Sequence, residues 1–186
     1  MNLTDILEKI DYIDYTKKND DEITNVTNDS RKIEKGGVFV AISGMEFDGH
    51  KFIDKAIANG ANTIVVTQDT QKIEGINYIK VEDARIALAQ ISNVVCDFPS
   101  QKLRVIGVTG TNGKTTTASM ISHILENLDS QCTNIGTNGT FIAGEKYETP
   151  NTTPEICEID KILKLSADKK IDNAVVECSS HGLYLH

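Results

Sequence analysis

Val105-Ile106-Gly107-Val108-Thr109-Gly110-Thr111-Asn112-Gly113-Lys114-Thr115-Thr116-Thr117 is the stretch on which the reading of this chain turns. Val105, Ile106 and Val108 predict a short strand, and the glycine-rich segment behind them predicts a tight loop. Beyond the loop, Met120, Ile121, Ile124, Leu125 and Leu128 recur at the three- and four-residue spacing of a helix. Strand, glycine loop and helix in that order form the context of a phosphate-binding P-loop. Glycines let the backbone curl until several N–H groups point at one anion, and a helix N-terminus adds partial positive charge. In that arrangement Lys114 reaches the β- and γ-phosphates and the Thr115 hydroxyl binds Mg²⁺. The loop departs from the general pattern, because Val108 stands where the first glycine belongs.

Composition narrows the class. A chain of 186 residues holds one or two domains. Its net charge of −8 argues against nonspecific binding to nucleic acid or to an anionic membrane. No apolar run approaches a membrane span, and the N-terminus lacks a basic region followed by an apolar one, so a cytoplasmic protein is expected. Cys96, Cys132, Cys157 and Cys178 are scattered without metal-ligand pairing, which predicts reduced thiols.

Upstream of the loop, Leu3, Ile6, Leu7 and Ile10 predict a short amphipathic helix, and Thr16 to Glu22 a polar loop. Ile23 to Val26 reads as a strand, then Asn28-Asp29-Ser30-Arg31, a turn at Lys35-Gly36-Gly37 and a buried strand from Val38 to Ile42. The loop Ser43 to Gly49 is long enough to be functional. A helix from His50 to Asn59 stops at Gly60, strands follow at Thr63–Thr67 and Tyr78–Val81, and Asp83 caps a helix reaching Cys96. Asp97 to Gln101, with Pro99, reads as a domain junction. The predicted domains are residues 1–99 and 100–186.

Downstream, Cys132 to Gly136 predicts a strand, Asn138-Gly139 a hairpin turn and Phe141 to Tyr147 the returning strand. Thr153-Pro154 opens a helix with Ile156, Ile159, Ile162, Leu163 and Leu165 on its apolar face. Asn173 to Cys178 is a buried strand ending at Glu177. A carboxylate at the end of an apolar strand is costly unless paired or bound to a cation, so Glu177 is a candidate Mg²⁺ ligand beside Thr115. Ser179-Ser180-His181 lacks a nucleophile elbow and a nameable third group, which argues against a hydrolase triad. Alternating strands and helices predict an α/β fold: a small N-terminal α/β domain, then the first part of a Rossmann-like, parallel-sheet P-loop domain.

These motifs together resemble a known family. Thr109 to Thr116 is similar to the ATP loop of the Mur ligases of peptidoglycan synthesis. Asn151-Thr152-Thr153-Pro154-Glu155 and Glu177-Cys178-Ser179-Ser180-His181-Gly182-Leu183 resemble the branch that makes UDP-N-acetylmuramoyl-tripeptide. Asn28-Asp29-Ser30-Arg31, Gly37 to Ala41 and Asp48-Gly49-His50 resemble that branch's N-terminal uridine-binding domain. The resemblance implies an ATP-dependent ligase that phosphorylates the free carboxylate of UDP-MurNAc-L-Ala-D-Glu. The acyl phosphate is then attacked by the amine of a diamino acid, meso-diaminopimelate or L-lysine. ATP and Mg²⁺ would sit on Gly110, Thr111, Asn112, Gly113, Lys114, Thr115 and Thr116, with Glu177 on the metal and Lys114 catalytic. Ser30, Met45, Glu46 and Phe47 would contact the uridine nucleotide, and Asn151, Thr152, Thr153 and Ser179 the muramoyl peptide.

The same resemblance implies that the chain is an N-terminal fragment. It would lack an arginine beyond His186, a carbamylated lysine and the C-terminal domain that selects the amino acid. Such a fragment is expected not to ligate by itself. It is also expected to offer only three or four strands after Ser100, leaving an uncovered apolar edge that drives self-association. Two other readings stay open: a non-catalytic nucleotide-binding module, and a related ligase such as a folylpolyglutamate synthetase.

Overall fold

Val38, Phe39 and Val40 are each fully buried, as a strand must be when helices cover both faces of its sheet. They belong to a computed structural model that describes residues 1–44, 48–147 and 154–184, with His181 and Tyr184 described in their backbone only. The expected ligand residues Met45, Glu46, Phe47, Asn151, Thr152 and Thr153 lie outside the described residues. The chain divides into two units, Met1–Val95 and Cys96–His186.

The first unit contains α1 (Leu3–Leu7), β1 (Asp14–Thr16), β2 (Val26–Thr27), β3 (Gly37–Val40), α2 (Ile53–Ala58), β4 (Ala61–Val66), β5 (Asn77–Lys80) and α3 (Ala84–Val95). Its sheet runs β1-β5-β4-β3-β2, parallel except for β1 at one edge. Phe39, Ile64 and Val66 pack with Ile53 and Ala56 of α2. Val38 and Val40 alternate to the opposite face, where α3 lies against β2, β3 and β4.

Three local expectations shift. Thr16, the first residue of the expected loop, instead closes β1, a mostly exposed strand whose polar residues give no apolar alternation to read. The strand expected at Ile23–Val26 is confined to Val26–Thr27. The helix expected from His50 opens as a 3₁₀ turn, Gly49–Phe52, because the Asp48 side chain accepts from the His50 N–H. Gly60, at φ +116°, ends the helical segment as expected. Asp83 Oδ1 accepts from the N–H groups of Arg85 and Ile86 at 2.7 and 3.2 Å, capping α3.

The second unit contains β6 (Arg104–Val108), α4 (Lys114–Asn127), β7 (Cys132–Gly136), β8 (Gly139–Ile142), β9 (Glu145–Tyr147), α5 (Ile156–Asp168), β10 (Asn173–Glu177) and α6 (Ser180–Tyr184). The strand order is β6-β10-β7-β8-β9. β10 is parallel to both β6 and β7, and the β8–β9 hairpin extends the sheet antiparallel. Among the described residues this sheet has five strands, where three or four were expected. The extra one arises because Phe141–Tyr147 is not a single return. Ala143 and Gly144, at φ +51° and +80°, turn the chain between β8 and β9. In the β7–β8 hairpin Gly136 pairs with Gly139, so Thr137 and Asn138 form the turn and the left-handed φ of +108° falls on Gly139.

α4 covers one face of this sheet, with Ala118 against Val108, Cys132 and Val175. α5 covers the other, with Ile162 and Leu163 against Ile135, Ala174 and Val176. Glu155, rather than Thr153, is the N-cap of α5, and Pro154 precedes the cap. The apolar spacing of α4 is only partly a core pattern. Ile121 and Leu125 pack inward, whereas Met120, Ile124 and Leu128 are exposed on the flank. Among the described residues Cys96, Cys132, Cys157 and Cys178 form no disulfide, and burial pushes the Cys96 and Cys132 thiols up. Among the described residues, no helix is long and apolar enough to cross a membrane.

Candidate functional site

The second sheet brings three strand ends to one edge. β6 ends at Val108, which is in register with Glu177 at the end of β10. β7 ends one residue past Ile135, the partner of Val176. The loop Thr109–Gly113 leaves β6 at this edge, and α4 begins at Lys114. Ligands of open α/β sheets bind at such carboxyl ends, where neighbouring connections diverge.

The loop conformation depends on two glycines. Gly110 is at φ +147° and Gly113 at φ +77°, both in the region that side chains disfavour. Gly113 is the N-cap of α4 and supplies no side-chain acceptor, so the first-turn N–H groups are left for another anionic partner. Lys114 is half-buried. Its Nζ donates to the Gly110 carbonyl at 2.8 Å and to the Thr111 carbonyl at 3.5 Å, which holds the ammonium over the loop.

Thr115 is one residue into α4 and faces β10. Its hydroxyl donates to Glu177 Oε2 at 2.9 Å. Glu177 also accepts from the turn between β7 and β8. The Thr137 N–H donates to Oε1 and the Thr137 hydroxyl to Oε2, both at 3.1 Å. Gly136 makes room for the carboxylate: a Cβ there would lie 2.0 Å from Oε1. A hydroxyl and a carboxylate at contact distance are the hard oxygen donors that Mg²⁺ takes, and each retains lone pairs in these bonds. The donor set thus fits the cation.

Lys114, Gly136, Thr137, Glu177 and Ser179 line one small cleft of about 40 Å³. The Ser179 hydroxyl accepts from the Gly182 N–H at 2.9 Å. A larger groove of about 330 Å³ runs between α4 and the β7–β8 hairpin, past His123, Asn134 and Phe141, and also reaches Glu177. Lys114 lines the smaller cleft and not the groove. Gly136 and Thr137 are the contributors that sequence reading missed. Their only local signal was the nearby hairpin turn.

In the first unit, Ser30 is buried and its carbonyl accepts from Asn59 Nδ2 at 2.7 Å. Asp29 beside it accepts from Arg31 Nε and Nη2 at 2.9 and 2.8 Å, and this guanidinium lowers the carboxyl to about 2. Asp48 and His50, read locally as a turn, form a hydrogen-bonded pair. His50 Nδ1 lies 2.8 Å from Asp48 Oδ1, while its Nε2 accepts from the Thr67 N–H at 3.4 Å. An Nε2 that accepts leaves the proton on Nδ1, pointing at the carboxylate.

Comparison with known proteins follows the same division. Residues 108–186 match the Mur ligase middle domain, and residues 22–95 match the model described as Mur ligase family, catalytic domain. The UDP-N-acetylmuramoyl-L-alanyl-D-glutamate--2,6-diaminopimelate ligase of Alkaliphilus metalliredigens is 42% identical over 185 residues, covering 100% of this chain and 37% of the relative. The enzyme of the same name from Clostridium botulinum is 42% identical over 188 residues, covering 100% of this chain and 39% of the relative. The chain therefore spans less than two fifths of the length of these curated relatives. A solved structure of a ligase of that name superposes with a TM-score of 0.73 at 29% identity, over 87% of this chain and 33% of that one. MurF ligase from Thermotoga maritima, solved with ADP, gives a TM-score of 0.54 at 28% identity, over 84% and 32% of the two chains. On sequence and on fold alike, this chain belongs to the Mur ligase family.

Proposed function

We propose that this chain carries the uridine-nucleotide-binding and ATP-binding parts of a UDP-N-acetylmuramoyl-L-alanyl-D-glutamate--2,6-diaminopimelate ligase. Residues 1–99 serve the first role and residues 100–186 the second. The observation that carries the reading is the meeting of the Gly110–Lys114 loop, Thr115 and Glu177 at one edge of parallel strands. The names of the relatives favour 2,6-diaminopimelate over lysine as the amino acid added.

In this reading the first-turn N–H groups of α4 and the Lys114 ammonium hold the ATP polyphosphate. Lys114 gives up its carbonyl contacts for phosphate oxygens, a stronger charge-assisted bond. Thr115 and Glu177 hold Mg²⁺, which supplies charge neutralisation at the phosphate oxygens when bound. The reaction needs that positioning because a carboxylate is a poor electrophile. Phosphorylating the glutamate carboxylate creates a leaving group that the incoming amine displaces as phosphate. Ser179, with Asn151, Thr152 and Thr153, orients the muramoyl peptide. Ser30, with Met45, Glu46 and Phe47, contacts the uridine nucleotide. Cytoplasmic location is part of the same proposal, as is self-association through the exposed flank of α4.

Calorimetric titration of the chain with UDP-MurNAc-L-Ala-D-Glu and, separately, with ADP tests the assignment. Detectable binding of both is expected. Binding of ADP alone would favour a nucleotide-binding module without the muramoyl substrate. Binding of a folate in place of the muramoyl dipeptide would move the chain to the folylpolyglutamate branch.

A further inference from the structure

The β7–β8 turn does something that an ordinary hairpin turn does not: it grips a carboxylate on another strand. Thr137 gives Glu177 two hydrogen bonds, one from the main chain to Oε1 and one from the hydroxyl to Oε2. Thr115 gives it one. Glu177 is thus fixed from two sides, by the helix that follows the glycine loop and by the hairpin turn. The backbone bond to Oε1 and the hydroxyl bond to Oε2 together set the plane of the carboxylate, which a single donor cannot do.

Gly136 makes this grip possible. Glu177 Oε1, Cδ and Cγ would lie 2.0, 2.5 and 2.8 Å from a Cβ at that position. The carboxylate therefore lies directly over the glycine Cα. Any larger residue would force it out of the cleft that it shares with Lys114 and Ser179. A hydroxyl in a turn ordinarily bonds the local backbone. The hydroxyl of Thr137 is used on Glu177.

We infer that Thr137, given room by Gly136, is a positioning residue for the cation site: it holds the Glu177 carboxylate in the orientation that lets Glu177 and Thr115 share one divalent ion. The inference rests on the proposed cation role of Thr115 and Glu177. It assigns Thr137 no contact with substrate and no part in proton transfer. A site held in advance in this way spends less binding energy on ordering the carboxylate, so the benefit falls on the metal-dependent part of nucleotide affinity.

The test measures ADP binding by calorimetry in the presence and absence of Mg²⁺. Parent chain, Thr137→Val and Thr137→Ser are compared, and thermal melting confirms that each is folded. The parent is expected to bind ADP more tightly with Mg²⁺. Thr137→Val, which keeps the N–H and loses the hydroxyl, is expected to lose about tenfold of that gain, the typical worth of one hydrogen bond to a charged group. Its ADP affinity without Mg²⁺ is expected to be unchanged, and Thr137→Ser is expected to restore the gain. Thr137→Ala serves as the second variant should valine disturb the turn. A Mg²⁺ gain in Thr137→Val or Thr137→Ala equal to the parent's overturns the inference. So does an equal loss with and without the ion, which would mark a purely structural role. A parent that binds ADP identically with and without Mg²⁺ overturns the underlying cation reading as well, and so separates the two failures.

Discussion

At the scale of single residues, the second unit is arranged around the Glu177 carboxylate. Gly136→Ala is expected to displace it, because the new methyl would occupy the space of Oε1. Overpacking of this kind costs roughly 1–3 kcal/mol. Urea denaturation checks it, and an unchanged midpoint would contradict the close approach. In the first unit, Asp29 tests its ion pair with Arg31. Its folded value of about 2 lies below the ordinary carboxylate value because Arg31 holds it ionised. The bond therefore stabilises the fold fully above about pH 4 and is lost as pH falls through 2. Arg31 is largely exposed, so solvent screening keeps the contribution small. The melting temperatures of parent and Asp29→Asn are expected to converge between pH 4 and pH 2. A constant gap over that range would contradict the pairing. Lys114, Thr115 and Glu177 were legible in the sequence as candidates because each follows from a local pattern, a glycine loop or an acid closing an apolar strand. Thr137 was not, because its partner lies 40 residues away and meets it only through the pairing of β7 with β10.

At the scale of elements, α4 separates what periodicity reveals from what it leaves open. The spacing of Met120, Ile121, Ile124, Leu125 and Leu128 identifies a helix, and the helix is there. The spacing does not say how wide the covered stripe is. Only the Ile121–Leu125 side meets the sheet, while Met120, Ile124 and Leu128 are 60%, 56% and 71% exposed. These residues lie at i, i+4 and i+8, one row along the helix. β6, at the end of the strand order, adds a half-exposed Val105. An apolar row of this kind is the candidate surface for the proposed self-association. Sedimentation velocity is expected to show the parent chain self-associating at high concentration. Met120→Lys, Ile124→Glu and Leu128→Lys together are expected to return it to monomer without changing ADP affinity. A parent that stays monomeric throughout would contradict this. β1 carries the converse lesson. Asp14-Tyr15-Thr16 is a strand because it pairs with β5, and its exposed residues carry no apolar signature of that pairing.

At the scale of the whole molecule, the α/β class was legible from alternating strands and helices. The strand orders were not, since they depend on which distant segments pair. That ordering sets β10 beside β6 and so brings Glu177 to the glycine loop. The central claim is that this loop grips a nucleotide polyphosphate through Lys114. Its most direct test is the equilibrium affinity of the parent chain and of Lys114→Ala for ATP with Mg²⁺. Parent binding is expected to be saturable. The variant is expected to bind roughly 10- to 100-fold more weakly, the worth of a charge-assisted bond of about 1.5–3 kcal/mol. Equal affinity in the two proteins, or no binding of ATP by the parent, would contradict the account.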